Sequence, residues 1–258
     1  MPEAVAGFLL ALVWLTRLPV GGFLPVDPPP LARAAWAFPL VGLVVGSIAA
    51  AVFAATMALG LPQALAAILA VAAMVWLSGG LHEDGLADLA DGMGGPNRER
   101  RLEIMRDSRI GSYGALTLGL VTAIRITALA VLPVPAAIGA FFTLPALSRA
   151  MMVATMVMLA PARADGLGKA AGRPSASLVA IAGLLALSLC AVASLSGLWP
   201  GFWPAAGVIL AACAATLHIQ RLARNKLGGL TGDVLGAVQQ VSEAAALLVL
   251  AAALAEKL

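Results

Sequence analysis

Apolar residues run through this chain in long stretches with two kinds of break between them. The stretches are Trp36–Gly60, Pro62–Gly80, Gly114–Leu132, Val134–Ala160, Ser177–Gly197, Phe202–Gln220 and Val234–Leu254. A helix of about 20 apolar residues spans the ~30 Å hydrocarbon layer, so the pattern predicts seven transmembrane helices. A shorter run, Ala4–Leu15, leads into Thr16-Arg17-Leu18-Pro19. It reads as an interfacial or re-entrant helix, or as a short first span. Leu61, Pro133 and Leu198-Trp199-Pro200-Gly201 are short, uncharged breaks, whereas Leu81–Tyr113, Pro161–Pro174 and Arg221–Asp233 are long and charged. Two spans separate each long loop from the next, so all three fall on one face. Arg98, Arg100, Arg101, Arg106 and Arg109, then Arg163, Lys169 and Arg173, then Arg221, Arg224 and Lys226 put most of the 16 basic residues there. The positive-inside rule makes that face cytoplasmic. Trp199 and Trp203 suit the opposite interface.

Composition narrows the class further. The chain of 258 residues is 61% hydrophobic and 11% charged, with a mean hydropathy of +0.98. Water-soluble domains carry about 25% charged residues, and disordered chains are more polar still, so both are excluded. The fold class is all-α, a polytopic membrane bundle, and no linker, heptad or low-complexity tract divides residues 1–258 into more than one domain. A net charge of +3, gathered in loops, suits anionic lipid or phosphate ligands rather than a nucleic-acid groove. Cys190 and Cys213 lie in apolar runs, where packing is the expected role. Met1-Pro2-Glu3 lacks the basic start of a signal peptide, so no cleavage is expected. The composition leaves room for a homo-oligomer.

The densest chemistry lies in His82-Glu83-Asp84-Gly85-Leu86-Ala87-Asp88-Leu89-Ala90-Asp91-Gly92. If the preceding helix continues through it, Asp84, Asp88 and Asp91 fall within a ~60° arc at ~100° per residue. Three carboxylates on one stripe repel, and a divalent cation offsets that repulsion. An oxygen-only donor set selects a hard ion, Mg²⁺ or Mn²⁺, and magnesium completes its shell with substrate phosphate. Zinc fits poorly, because His82 has no second His at i+4 and no nearby Cys. A solvated helix end is the plain alternative.

Two further patches share the face. In Arg106-Asp107-Ser108-Arg109-Ile110-Gly111 the arginines can grip phosphate, assisted by Ser108 and by backbone N–H groups at a helix start. In Gly228-Gly229-Leu230-Thr231-Gly232-Asp233 a glycine-rich turn carries Thr231 and Asp233 to a helix entrance, where plain capping competes with substrate binding. Within the spans, Arg149 is the candidate for reaching an anionic substrate, Arg125 and Glu243 are further costly charges, and His218 is interfacial. Asp91, Asp107 and Asp233 are all candidates for a general base.

These motifs, in this order, resemble the cobalamin synthase (adenosylcobinamide-GDP ribazoletransferase) family. The runs Arg101–Gly111 and Gly228–Ala237, the early Leu15–Val20 and Phe38-Pro39-Leu40-Val41-Gly42 are similar too. The resemblance implies a Mg²⁺-dependent, multi-pass enzyme of the bacterial inner membrane. It implies transfer from adenosylcobinamide-GDP to α-ribazole or its 5′-phosphate, with release of GMP. In those terms Asp84, Asp88 and Asp91 hold Mg²⁺, while Arg106, Ser108, Arg109, Arg149 and Thr231 contact substrate. The aspartate run is also similar to the CDP-alcohol phosphotransferases, although Asp88-Leu89 stands where that pattern has Ala-Arg. A lipid phosphotransferase of that type is the alternative within enzymes. A cation-coupled transporter is the alternative outside them, opposed by the lack of inverted repeats and by an acidic cluster at the mouth of the bundle.

Overall fold

In lipid, only helices satisfy their own backbone hydrogen bonds without a closed barrel. The computed structural model describes residues 1–255, and every apolar stretch in them is helical, with no β-strand among the described residues. The helices are α1 (Glu3–Leu15), α2 (Leu31–Ala34), α3 (Phe38–Ala58), α4 (Gln63–Ser78), α5 (Leu81–Met93), α6 (Arg98–Ile104), α7 (Ser112–Val131), α8 (Val134–Met158), α9 (Leu167–Ala170), α10 (Ala176–Leu195), α11 (Phe202–Leu227) and α12 (Gly232–Ala255). Six segments are long and apolar enough to cross a membrane, and α4 with α5 adds a bent seventh. The protein is a polytopic membrane bundle preceded by a short apolar helix.

α8 and α12 occupy the interior, while α7, α10 and α11 turn most of their surface outward. The closest crossing is between α3 and α8, where Gly42 and Gly46 lie directly on the backbone of Pro145 and Phe141. A side chain at either glycine would collide with a carbonyl. This is the small-residue contact that lets helices approach in lipid. Pro145 contributes by leaving the Phe141 carbonyl without its usual helical donor.

Three features differ from the sequence expectation. The helix before the acidic run does not continue through it: Gly79 and Gly80 both take left-handed backbone angles, φ +66° and +71°. The chain turns there by 88°, so α4 is the apolar limb of that bent segment and α5 runs across the charged end of the bundle. α11 does not stop at Gln220 but carries the basic run to Leu227, because Arg, Leu, Ala and Lys are good helix formers, and it ends at left-handed Gly228. Trp199 is not an interfacial anchor. It is buried, fills the space beside Gly139 and donates its Nε1–H to the Ala136 carbonyl at 3.4 Å.

The first apolar helix lies along the charged end. Its C-terminus is tied to the α4–α5 break, where the Arg17 N–H donates to the Leu77 carbonyl at 2.7 Å. Its N-terminus shares a cavity with Arg173 and Ser175, just ahead of α10. With both ends at the same end of the bundle, α1 is interfacial and not a span.

Candidate active site

Arg98 and Arg163, which the sequence marks only as a positive face, and Arg106, expected on phosphate, staple the three charged segments together. Arg98 donates to the Leu227 carbonyl at 2.8 Å and to the Ala162 carbonyl at 2.6 Å. Arg163 donates to the Leu102 carbonyl at 2.9 Å, and Arg106 pairs with Asp165 at 2.6 Å. Leu230 and Ala160–Ala162 exchange backbone hydrogen bonds of 2.7 and 2.8 Å. The three charged segments share one face, and Arg98, Arg106 and Arg163 are used in building it.

Asp84, Asp88 and Asp91 all lie on α5, so the helical stripe survives the break before it. What the stripe faces is decided by glycines. A Cβ on Gly85 would stand 2.9 Å from the Asp233 Cα, and one on Gly236 would stand 3.0 Å from the His82 carbonyl oxygen. α5 and α12 therefore touch backbone to backbone, and Asp233 is brought beside the stripe. Two cavities adjoin there. One, of about 620 Å³, has Asp84, Asp88 and Ser108 in its wall. The other, of about 210 Å³, has His82, Asp84 and Asp233. Asp84 lines both.

Electrostatics single out Asp88. Burial, and then the neighbouring Asp84, Asp233 and Asp91, push its carboxyl up to about 7, with Arg163 opposing. Crowded acids of this kind attract a cation. Among the described residues no three His, Cys, Asp or Glu side chains stand close enough to coordinate one ion by themselves. Magnesium does not require such a cage, since one or two carboxylates plus substrate phosphates and water suffice. An all-oxygen donor set with an acid held part-protonated by its neighbours fits that ion.

The other expected residues are distributed unevenly. Asp91 turns to α7: its Oδ2 accepts the Gly111 N–H at 2.7 Å and its Oδ1 the Gly114 N–H at 2.8 Å. Neither glycine could carry a Cβ without striking that carboxylate. Asp91 thus caps a helix N-terminus, where a negative charge is favourable. Arg109 is 87% exposed and grips Asp107 at 2.8 Å, which holds the Asp107 carboxyl down to about 2. Arg106 points to Asp165. Thr231 is buried, and its Oγ1 accepts the Val234 N–H at 3.2 Å as the cap of α12.

Arg149 lines neither of the two cavities. It is 1% exposed, donates to the Pro145 carbonyl at 3.1 Å and approaches His82 Nε2 at 3.3 Å. Arginine only donates, so His82 accepts through Nε2 and carries its proton on Nδ1. Beside this pair lies a buried hub. Arg125 of α7 contacts Glu243 at 2.8 Å, Gln240 at 2.9 Å and Glu83 at 3.5 Å. Ser148 and Gln239 donate to the other oxygen of Glu243 at 3.2 and 2.7 Å. The hub ties α5, α7, α8 and α12 into one body behind the acidic stripe. Glu83, beside Asp84 in the acidic run, belongs to the hub.

Sequence reasoning missed Arg17, Trp14 and Arg163. Arg17 and Trp14 line the cavity that contains Asp84 and Asp88, and Arg163 lies in the field of both Asp88 and Asp233. Arg17 reads in the sequence only as part of the segment that ends the first apolar run and of the Leu15–Val20 resemblance. No local spacing links it to residues over sixty positions away.

The model of the cobalamin-5-phosphate synthase family matches residues 7–251. A protein of Bradyrhizobium diazoefficiens called adenosylcobinamide-GDP ribazoletransferase is 44% identical over 97% of this chain and 95% of its own length. Proteins of the same name from Azorhizobium caulinodans and Mesorhizobium japonicum are 45% and 46% identical, covering 92% and 95% of this chain and 92% of their own lengths. No solved structure matches. With the family's pattern extending across almost the whole bundle, the chain belongs to the cobalamin-5-phosphate synthase family.

Proposed function

We propose that the chain transfers the adenosylcobinamide-phosphate group of adenosylcobinamide-GDP to the 3′-hydroxyl of α-ribazole, or of α-ribazole 5′-phosphate, releasing GMP. The observation that carries this reading is the meeting of Asp84 and Asp88 with Asp233 around two adjoining cavities at the charged end. A nucleotide diphosphate needs cationic partners at its oxygens, and an attacking hydroxyl needs an acceptor for its proton. Asp84 and Asp88 are the residues that would hold Mg²⁺, which supplies charge neutralisation to the diphosphate and the departing GMP. Asp233 takes the hydroxyl proton. Of the three sequence candidates for the base it alone remains suited, because Asp107 is pinned by Arg109 near pH 2 and both oxygens of Asp91 hold backbone N–H groups. The loop positive charge supports a cytoplasmic orientation of this end in a bacterial inner membrane.

The test is incubation of the purified protein with adenosylcobinamide-GDP, α-ribazole and Mg²⁺. A complete cobamide and GMP should appear together, and chelation should stop both. Turnover of a CDP-linked lipid donor in place of adenosylcobinamide-GDP would overturn the reading.

A further inference from the structure

We infer that Arg17 is a phosphate-binding residue, contacting the diphosphate of the nucleotide-linked donor in the cavity that Asp84 and Asp88 also line. This rests on the proposed reading of the site as one that breaks a nucleotide diphosphate. Arg17 is the only basic residue lining the cavity of about 620 Å³. That volume falls within the range of small-molecule sites. Among the described residues no carboxylate lies within ion-pairing distance of it, whereas Arg106 and Arg109 are both paired.

The position is built by the chain around it. Thr16 ends α1, its Oγ1 donating to the Leu12 carbonyl at 2.7 Å and accepting the Leu18 N–H at 3.2 Å. The Arg17 N–H donates to the Leu77 carbonyl at 2.7 Å. Its Nη2 donates to the Gly79 carbonyl at 3.3 Å. Gly79 has no side chain, and a Cβ there would overlap Arg17 Nε. The glycine that turns the chain into α5 therefore also makes room for the guanidinium. One of five guanidinium N–H groups is used in that anchor, and among the described residues the others have no protein acceptor, in a side chain that lines the cavity. A planar fork sharing a cavity with two acids proposed to hold Mg²⁺ matches a diphosphate, whose oxygens need more than one cationic partner.

The experiment compares Arg17→Gln and Arg17→Lys with the parent, using the purified full chain. Donor affinity is measured by titration calorimetry without acceptor, inorganic pyrophosphate is titrated in a second arm, and KM for each substrate and the thermal midpoint are recorded. A charge-assisted contact predicts a loss of donor affinity of about 10- to 100-fold in Arg17→Gln. The loss should be smaller in Arg17→Lys, with the KM for α-ribazole and the thermal midpoint unchanged. Unaltered donor affinity in Arg17→Gln overturns the assignment. So does a fall in midpoint with both substrates weakened equally, which marks Arg17 as a latch for α1. If the parent binds no adenosylcobinamide-GDP, the proposed function fails, and the pyrophosphate arm decides Arg17 alone: weakening in Arg17→Gln supports it, and no change refutes it.

Discussion

Replacing Arg125 by Met should unfold the protein more easily, and removing Glu83 in addition should restore much of the loss. Arg125 is 2% exposed and faces Glu243 and Glu83, with Arg149 the second buried cation of the group. The buried charge is balanced, two guanidinium groups against two carboxylates. Arg125→Met leaves one cation with two anions, and removing one partner of a buried pair costs about 3–5 kcal/mol. For chains of this size 1 kcal/mol moves the thermal midpoint by about 2–4 °C, so a fall of roughly 6–20 °C is expected. Arg125→Met with Glu83→Leu restores balance. Glu243 keeps Ser148 and Gln239 as donors, and Arg149 keeps its contact with the Pro145 carbonyl. Apolar replacement of a whole buried pair is often neutral or stabilising, so the double variant should regain most of the lost midpoint. The assay is thermal unfolding of the purified protein in one detergent, with membrane insertion checked first. A single variant within about 2 °C of the parent would refute the charge-balance argument, and so would a double variant no more stable than the single one.

Three other outcomes are expected. Asp88 is pushed up to about 7 without metal, above the unfolded value, so its contribution to metal-free stability, read as the difference from Asp88→Asn, falls as pH rises from about 4 to 7 and then levels off. Mg²⁺ competes with that proton, so its apparent affinity, read by thermal shift, should weaken about tenfold per pH unit below 7 and lose this dependence in Asp88→Asn. Gly236→Ala places a Cβ 3.0 Å from the His82 carbonyl oxygen, so it should depress turnover far more than Gly183→Ala, whose Cβ meets nothing within 4 Å; equal activities in the two would refute the close α5–α12 contact as the device that sets Asp233. Single cysteines within 96–100, 165–170 and 224–228, in a chain lacking Cys190 and Cys213, should resist an impermeant thiol reagent added to intact cells, while one at Gly201 should react. Labelling of any of the three charged segments from outside would reverse the orientation.

The elements that were legible in the sequence are those set by one-dimensional physics. Span positions follow from apolar length, as α7, α8 and α10 show by beginning and ending within a few residues of their expected limits. The shared end of the three loops follows from parity of crossings, and the acidic stripe from helical period. Arg149 and Asp91 show where such reasoning stops. An arginine inside a span reads the same whether it reaches a substrate or, as here, a carbonyl of its own helix and a histidine on a neighbouring one. Asp91 keeps its helical phase with Asp84 and Asp88, yet its oxygens are drawn off by N–H groups twenty and more residues away. The glycines at 85, 111, 114 and 236 carry that missing information. Each marks a place where another backbone or a carboxylate must come within about 3 Å, but a glycine does not name what approaches it. The site is therefore defined by close approaches as much as by charges. The stripe becomes a site because Gly85 and Gly236 let Asp233 stand against it, while Gly111 and Gly114 hold Asp91 aside.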